Sequence, residues 1–369
     1  MLQETSGVMP ENRLKSLDFY RGFTMFLLIA ESTHLFEYLV DPSLMGTLIE
    51  SIGMQFHHHP WNGLRFWDLV QPFFMFIVGV ALPFSAAGRE ARGESGRSIT
   101  RHAVKRSFLL LLFGWALYCI GPGHITFELW NVLAQLSFTY LVAFFMMAKP
   151  VRVQLVFTVG LLLLTESLYR LWPIPGFDQP FEPDHNFGSY IDLLIMGKLS
   201  GGHWVAFNAV PTTAHTMWGV LCGQLLKSEK PAMQKVYLLI AAGVIGIITG
   251  YALDPVTPII KRICTSSFVI VSGGWCVLVM GLSYWLVDII KIHKIPGFFT
   301  IVGMNSLFIY LFAETHGTAW VHHVVIPFTN GLFGWMGSVT SDIITAITVW
   351  FVLWYICFFL YKKRVFLKI

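Results

Sequence analysis

Apolar runs about twenty residues long alternate with short polar connections along this chain. Ten such runs stand at about 17–39, 67–87, 104–121, 131–148, 152–171, 205–226, 235–253, 266–290, 297–313 and 340–361. A helix needs ~20 mainly apolar residues to cross the hydrocarbon core of a bilayer. Each run is therefore predicted to be a transmembrane helix. The segment 316–335 (HGTAWVHHVVIPFTNGLFGW) is interrupted by histidines, glycines and Pro327, and is predicted to be re-entrant or interfacial. The pattern predicts an all-α polytopic membrane protein: one bundle of about ten helices, a single domain over 1–369.

Composition agrees with this class. The chain is 55% hydrophobic and only 12% charged, about half the charge of an ordinary soluble domain (~25%). It cannot cover a water-facing surface. The net charge of +4 matters less than its distribution. With a cytoplasmic N-terminus, the cytoplasmic stretches hold 19 lysines and arginines and the opposite face 5, with Arg21 inside the first run. That bias places both termini in the cytoplasm, which requires an even number of spans. The first run follows Arg13 and Lys15 without a small-residue cleavage site, so it reads as a retained signal-anchor. The five cysteines (119, 222, 264, 276, 357) show no paired or metal-like spacing and read as buried thiols. No Gly-rich phosphate loop is present, so nucleotide hydrolysis has no support, and no nucleic-acid partner is expected.

The chemistry-bearing residues gather at the ends of the runs. His57, His58 and His59 precede the second run on the predicted outer face. Successive side chains in extended backbone point to opposite sides, so the three cannot easily share a metal without His316, His322 or His323, and no metal is expected. Asn62-Gly63 is turn chemistry able to fold this loop over the second run. Asp68 falls inside that run, where a carboxylate is expensive and usually functional or partnered. A histidine above a buried aspartate can deprotonate an amine or a hydroxyl near neutral pH.

Other polar positions extend the set. Asp18 and Arg21 share a helix face three residues apart and can pair near the cytoplasmic interface. Asn305 and Glu314 are intramembrane polar groups. Asn208, Thr212, Thr213 and His215 suggest a wet interior. The loop 89–106, with Arg101 and Arg106 among its six basic residues, orients the chain and can also hold a phosphate-rich cofactor. Lys261 and Arg262 form a basic pair on the outer side, able to hold an anionic group, cap a helix or meet lipid. Residue types alone leave two classes open, an enzyme and a transporter with a polar core.

Three stretches carry a resemblance. RLKSLDFYRG (13–22), the run H-x-x-W-N-G-L-x-x-x-D-L-V-x-P-x-F-x-F-I-x-G at 58–79 and GMNSLFIYL (303–311) resemble the heparan-α-glucosaminide N-acetyltransferase family of transmembrane acyltransferases. TSSFVIVSGGW (265–275) is similar to a segment of its bacterial homologues. The resemblance implies a ten-helix core, often homodimeric, in a bacterial inner membrane. It implies acetyl transfer from cytoplasmic acetyl-CoA, a co-substrate, to an amino sugar on the far side. The family's active-site histidine maps onto His58. Asp68 or Glu314 would orient it, and Asn305 would stabilise the oxyanion. Acceptor contacts are expected from Trp61, Asn62, Lys261 and Arg262, and cofactor contacts from Asp18, Arg21, Arg101 and Arg106. The chain departs from the family in placing Glu31 or Ser32 where an asparagine stands late in the first span, and Ala313 where a histidine precedes the glutamate. The acceptor therefore stays open, as does an O-acyltransferase acting on envelope polysaccharide.

Overall fold

A computed structural model describes residues 14–292 and 294–367; Arg13 of the first motif and Lys368 of the basic C-terminus lie outside them. Among the described residues fifteen α-helices follow one another. The first three are α1 (Lys15–Glu31), α2 (Leu35–Tyr38) and α3 (Leu48–Gln55). Next come α4 (Val70–Glu90), α5 (Gly96–Ile120), α6 (Val132–Met146), α7 (Val151–Leu171) and α8 (Phe187–Met196). The remainder are α9 (Ala209–Lys227), α10 (Ala232–Leu253), α11 (Ser266–Tyr284), α12 (Lys294–Met304), α13 (Ser306–Glu314), α14 (Gly317–Phe333) and α15 (Ser338–Lys362). Among the described residues no β-strand forms, and one isolated antiparallel bridge joins Asn62 to Ile260.

Among the described residues six helices, α4 with its 3-10 lead-in from Phe66, α5, α7, α10, α11 with its continuation to Ile289, and α15, are long and apolar enough to cross a bilayer. A seventh span arises if α12 and α13, bent by 69° at Asn305, are taken together. The other three expected runs are helical but differ from simple spans. α1 has 17 residues and stops where His34 takes a left-handed backbone (φ 61°). α6 has 15 residues. α9 carries Thr212, Thr213 and His215 through its buried face. The segment expected to be re-entrant or interfacial is a helix, α14, which packs on α15 with Pro327 inside it and is not among the helices long and apolar enough to cross a bilayer.

The chain's small residues set the packing. A Cβ at Gly79 of α4 would lie 2.0 Å from the Thr216 carbonyl oxygen, and one at Gly219 of α9 2.2 Å from that of Phe76. Glycine at both positions lets the two backbones meet, which is how helices associate when lipid is as apolar as leucine. The α4–α9 pair, with α1 and α11, forms the buried centre around Tyr20, Phe73 and Phe76. The start of α1 is held by Asp288, whose carboxylate accepts from the Lys15 and Ser16 amides (3.2 and 3.1 Å). An acidic group there satisfies exposed N–H donors and suits the helix dipole.

Candidate active site

The loop between α3 and α4 is fixed by its turn. Gly63 has φ 145°, and a Cβ there would meet the His59 ring at 2.5 Å. Its amide donates to the Ile259 carbonyl at 2.8 Å. This pairing, beside the Asn62–Ile260 bridge, joins residues 57–63 to the 258–265 loop. That loop is held in turn by Thr265, whose hydroxyl donates to Pro258 O (2.7 Å) and accepts from the Ile260 amide (3.0 Å). Lys261 is thereby delivered to His58, some two hundred positions away in the chain.

Three side chains converge. His58 Nδ1 lies 2.9 Å from Asp68 Oδ1. Asp68 is fully buried, and its second oxygen accepts from the amides of His59 (3.2 Å) and Arg65 (2.9 Å). Lys261 Nζ lies 3.0 Å from His58 Nδ1, 3.4 Å from Nε2 and 3.8 Å from Asp68 Oδ1. Nδ1 cannot donate to Asp68 and accept from Lys261 at once. The carboxylate contact is the shorter and has an ionised acceptor, so the Nδ1 hydrogen faces Asp68. Nε2 is left as the basic nitrogen, with the Lys261 ammonium beside the ring between the two nitrogens. Burial and the neighbouring Lys261 charge, partly offset by Asp68, pull the His58 imidazole down to about 4. Burial also lowers the Lys261 ammonium to about 8, against the support of Asp68 and Glu31. Near pH 7 the site thus holds a neutral imidazole beside a mostly charged lysine.

His58 and Lys261 open on a cavity of about 200 Å³ walled by Trp67, Trp130, Trp204, Tyr118, Tyr310 and Phe74. Charged groups hold these aromatic walls. The Trp67 indole donates to Glu31 (3.0 Å) and that of Trp130 to the buried Asp192 (2.6 Å). Lys261 and Arg262 stand over the Trp204 ring at 5.3 and 5.6 Å. Leu28, Glu31 and Tyr310 also line an adjoining chamber of about 570 Å³, which contains Glu37, Glu314, His34, His316, His322 and His323.

The remaining expected residues lie elsewhere. Trp61 donates to Phe181 O at 2.7 Å and fastens the histidine loop to the 172–186 segment. Asn62 acts through its backbone bridge. Arg262 donates to Gly202 O at 2.8 Å. Glu314 faces the adjoining chamber rather than His58. Asn305 is not brought to His58: its amide donates to Val365 O (3.0 Å) and accepts from the Leu367 amide (3.3 Å), tying the C-terminal segment to the α12–α13 bend. Asp18 and Arg21 pair at 3.7 Å on α1. Arg101 is exposed on α5, and Arg106 stands 4.9 Å over the Tyr140 ring with its Nε buried and without a partner. Trp67, Trp130, Trp204 and Asp192 went unnoticed in the sequence, since aromatics near a span end read first as an interfacial belt.

Fold and site together define an all-helical integral membrane protein with a histidine–aspartate–lysine cluster facing an aromatic cavity. Over 97% of its length the chain is 25% identical to the heparan-α-glucosaminide N-acetyltransferase of Mus musculus, and 25% identical to that of Homo sapiens, again over 97%. It spans 61% and 60% of those proteins. These alignments support a distant family relationship with the heparan-α-glucosaminide N-acetyltransferases. No family model matches the chain.

Proposed function

We propose that this chain is a transmembrane acyltransferase that moves an acetyl group from cytoplasmic acetyl-CoA to the amine of an amino sugar on the opposite face. The observation that carries this reading is the His58–Asp68 pair, a neutral imidazole oriented by a buried carboxylate at the wall of a cavity. His58 Nε2 takes a proton from the acceptor amine as it attacks the thioester, and Asp68 holds the ring and offsets the imidazolium charge. The aromatic walls suit the apolar face of a sugar and the uncharged arm that carries the thioester. The phosphates stay at the cytoplasmic surface, where Arg101, Arg106 and the Asp18–Arg21 pair are the proposed contacts. Trp61, Asn62 and Arg262 support the acceptor side by fixing the loops around it.

The test is acetyl transfer itself. Membranes containing the protein, given labelled acetyl-CoA and a panel of amino sugars, should yield an N-acetylated sugar. An ester product would identify an O-acyltransferase. The adjoining chamber, rich in carboxylates and histidines, favours a second reading, a solute transporter. Uptake of amino sugar without consumption of acetyl-CoA would establish that reading instead.

Orientation is part of the proposal: ten spans, cytoplasmic termini, a bacterial inner membrane and a homodimer. The nineteen-to-five charge bias supports the cytoplasmic termini. Single cysteines in a cysteine-free background should react with an impermeant thiol reagent from outside at 40–56 and not at 91–97. The reverse pattern overturns the topology.

A further inference from the structure

The walls of the His58 cavity contain few groups that can meet a negative charge. The indole N–H groups of Trp67 and Trp130 are committed to Glu31 and Asp192. The amide nitrogen of Gln71 donates to Gln135 Oε1. The neutral donors that remain are the hydroxyls of Tyr118 and Tyr310, the indole N–H of Trp204 and the second amide hydrogen of Gln71. Lys261 is the one cationic side chain lining this cavity among the described residues. It is 6% exposed and stands against His58, so it serves no solvated surface.

Burying a lysine is unfavourable unless the charge is paired. Asp68, at 3.8 Å, pairs it only loosely and already receives His58 and two backbone amides. A full structural ion pair would stand closer. The ammonium is held beside the base, over the Trp204 face, at the edge of the space where a reacting carbonyl would sit.

We propose that Lys261 is a catalytic residue of this site: its ammonium donates to the carbonyl oxygen of the acyl thioester and carries the charge that develops there during transfer. The assignment rests on the acyltransferase reading. The acceptor nitrogen attacks the carbonyl carbon, a C–N bond forms, and the carbonyl π pair moves to oxygen. Lys261 turns from the His58 ring to that oxygen, and Nε2 takes the proton from nitrogen. The oxygen pair then returns, the C–S bond breaks, and its electron pair leaves on sulfur. Nε2 passes its proton to that sulfur, so the products are an amide and a free thiol.

A charged donor at such an oxygen is worth about 10²–10³ in kcat. The protein in liposomes is assayed with acetyl-CoA and glucosamine. Lys261→Met is expected to lower kcat by about 10²–10³-fold with little change in KM for acetyl-CoA. Tyr118→Phe and Tyr310→Phe should each lose far less. The pH profile gives a readout that a structural role would not move. His58, Asp68, Glu31, Cys264 and Arg262 all act on Lys261 or stand beside it. Because the lysine must be protonated, the wild-type rate should fall as pH rises through about 8. Lys261→Arg, which keeps its charge at any working pH, should move that alkaline limb upward even where its altered shape lowers the rate. It also keeps the test alive if Lys261→Met fails to fold. A Lys261→Met enzyme with near-wild-type kcat, or an unmoved limb in Lys261→Arg, overturns the assignment alone. Wild-type protein that consumes no acetyl-CoA with any amino sugar of the panel overturns the acyltransferase reading, and this assignment with it.

Discussion

Replacing His58 with alanine is expected to lower turnover by about 10²–10⁴-fold, the usual loss of a general base, with acetyl-CoA binding nearly unchanged. His57 and His59 should each tolerate alanine with most activity retained. The His57 ring is engaged with the Phe36 carbonyl at 2.9 Å, away from the cavity. His59 contributes to Asp68 through its backbone amide, and alanine keeps that amide. The pH profile should match. Burial and Lys261 hold His58 at about 4, so its basic form prevails from pH 5 upward. In kcat/KM for acetyl-CoA at saturating acceptor, which removes the acceptor amine's own titration, the limb due to His58 belongs near 4 rather than near the free imidazole value of about 6.5. Direct transfer in a ternary complex predicts intersecting double-reciprocal lines, and an acetyl-histidine intermediate predicts parallel ones. A His58→Ala protein with near-normal rates would remove the base from the mechanism.

How much of this could be read from the chain follows from where each contact originates. His58 and Asp68 are ten residues apart across a turn that Asn62-Gly63 announces, and a carboxylate inside an apolar run is conspicuous. Their meeting is a local event. Lys261 joins them through the pairing of two distant loops, and no pattern of residue types indicates that register. Asn305 shows the converse limit. An asparagine in an apolar segment signals that something needs its amide, without saying whether that is a substrate or a stretch of backbone. Here it is the backbone at Val365 and Leu367. Helix existence was legible because apolar runs demand it. Helix ends were less so: the left-handed turn at His34 stops α1 inside a run that hydropathy alone carries on to residue 39. The glycines and Pro327 of 316–335 suggested a break. Yet a proline's lost hydrogen bond can be tolerated within a membrane helix, and α14 continues through it.

Asp68→Asn should be nearly as damaging as loss of His58, roughly 10³-fold or more in kcat, although it removes one charge and almost no volume. The two backbone amides dictate the outcome. His59 N–H and Arg65 N–H both donate to Oδ2, so an asparagine must place its carbonyl oxygen there. Its NH₂ then faces His58 Nδ1, which must accept instead of donate. The ring proton moves to Nε2, and the nitrogen meant to take the acceptor's proton already carries one. In a serine-protease triad the equivalent isosteric change costs about 10⁴ for this reason. Loss of the Asp68 charge also removes the larger of the two carboxylate supports of the Lys261 ammonium, lowering its affinity for a proton further. The alkaline limb should therefore shift down as turnover falls. The fold should survive, because the loop keeps both backbone bonds. Thermal unfolding close to wild type, retained CoA binding and a lost kcat are the expected set of measurements. An Asp68→Asn enzyme that turns over normally would show that the carboxylate serves only to hold the loop, and His58 would need another source for its tautomer.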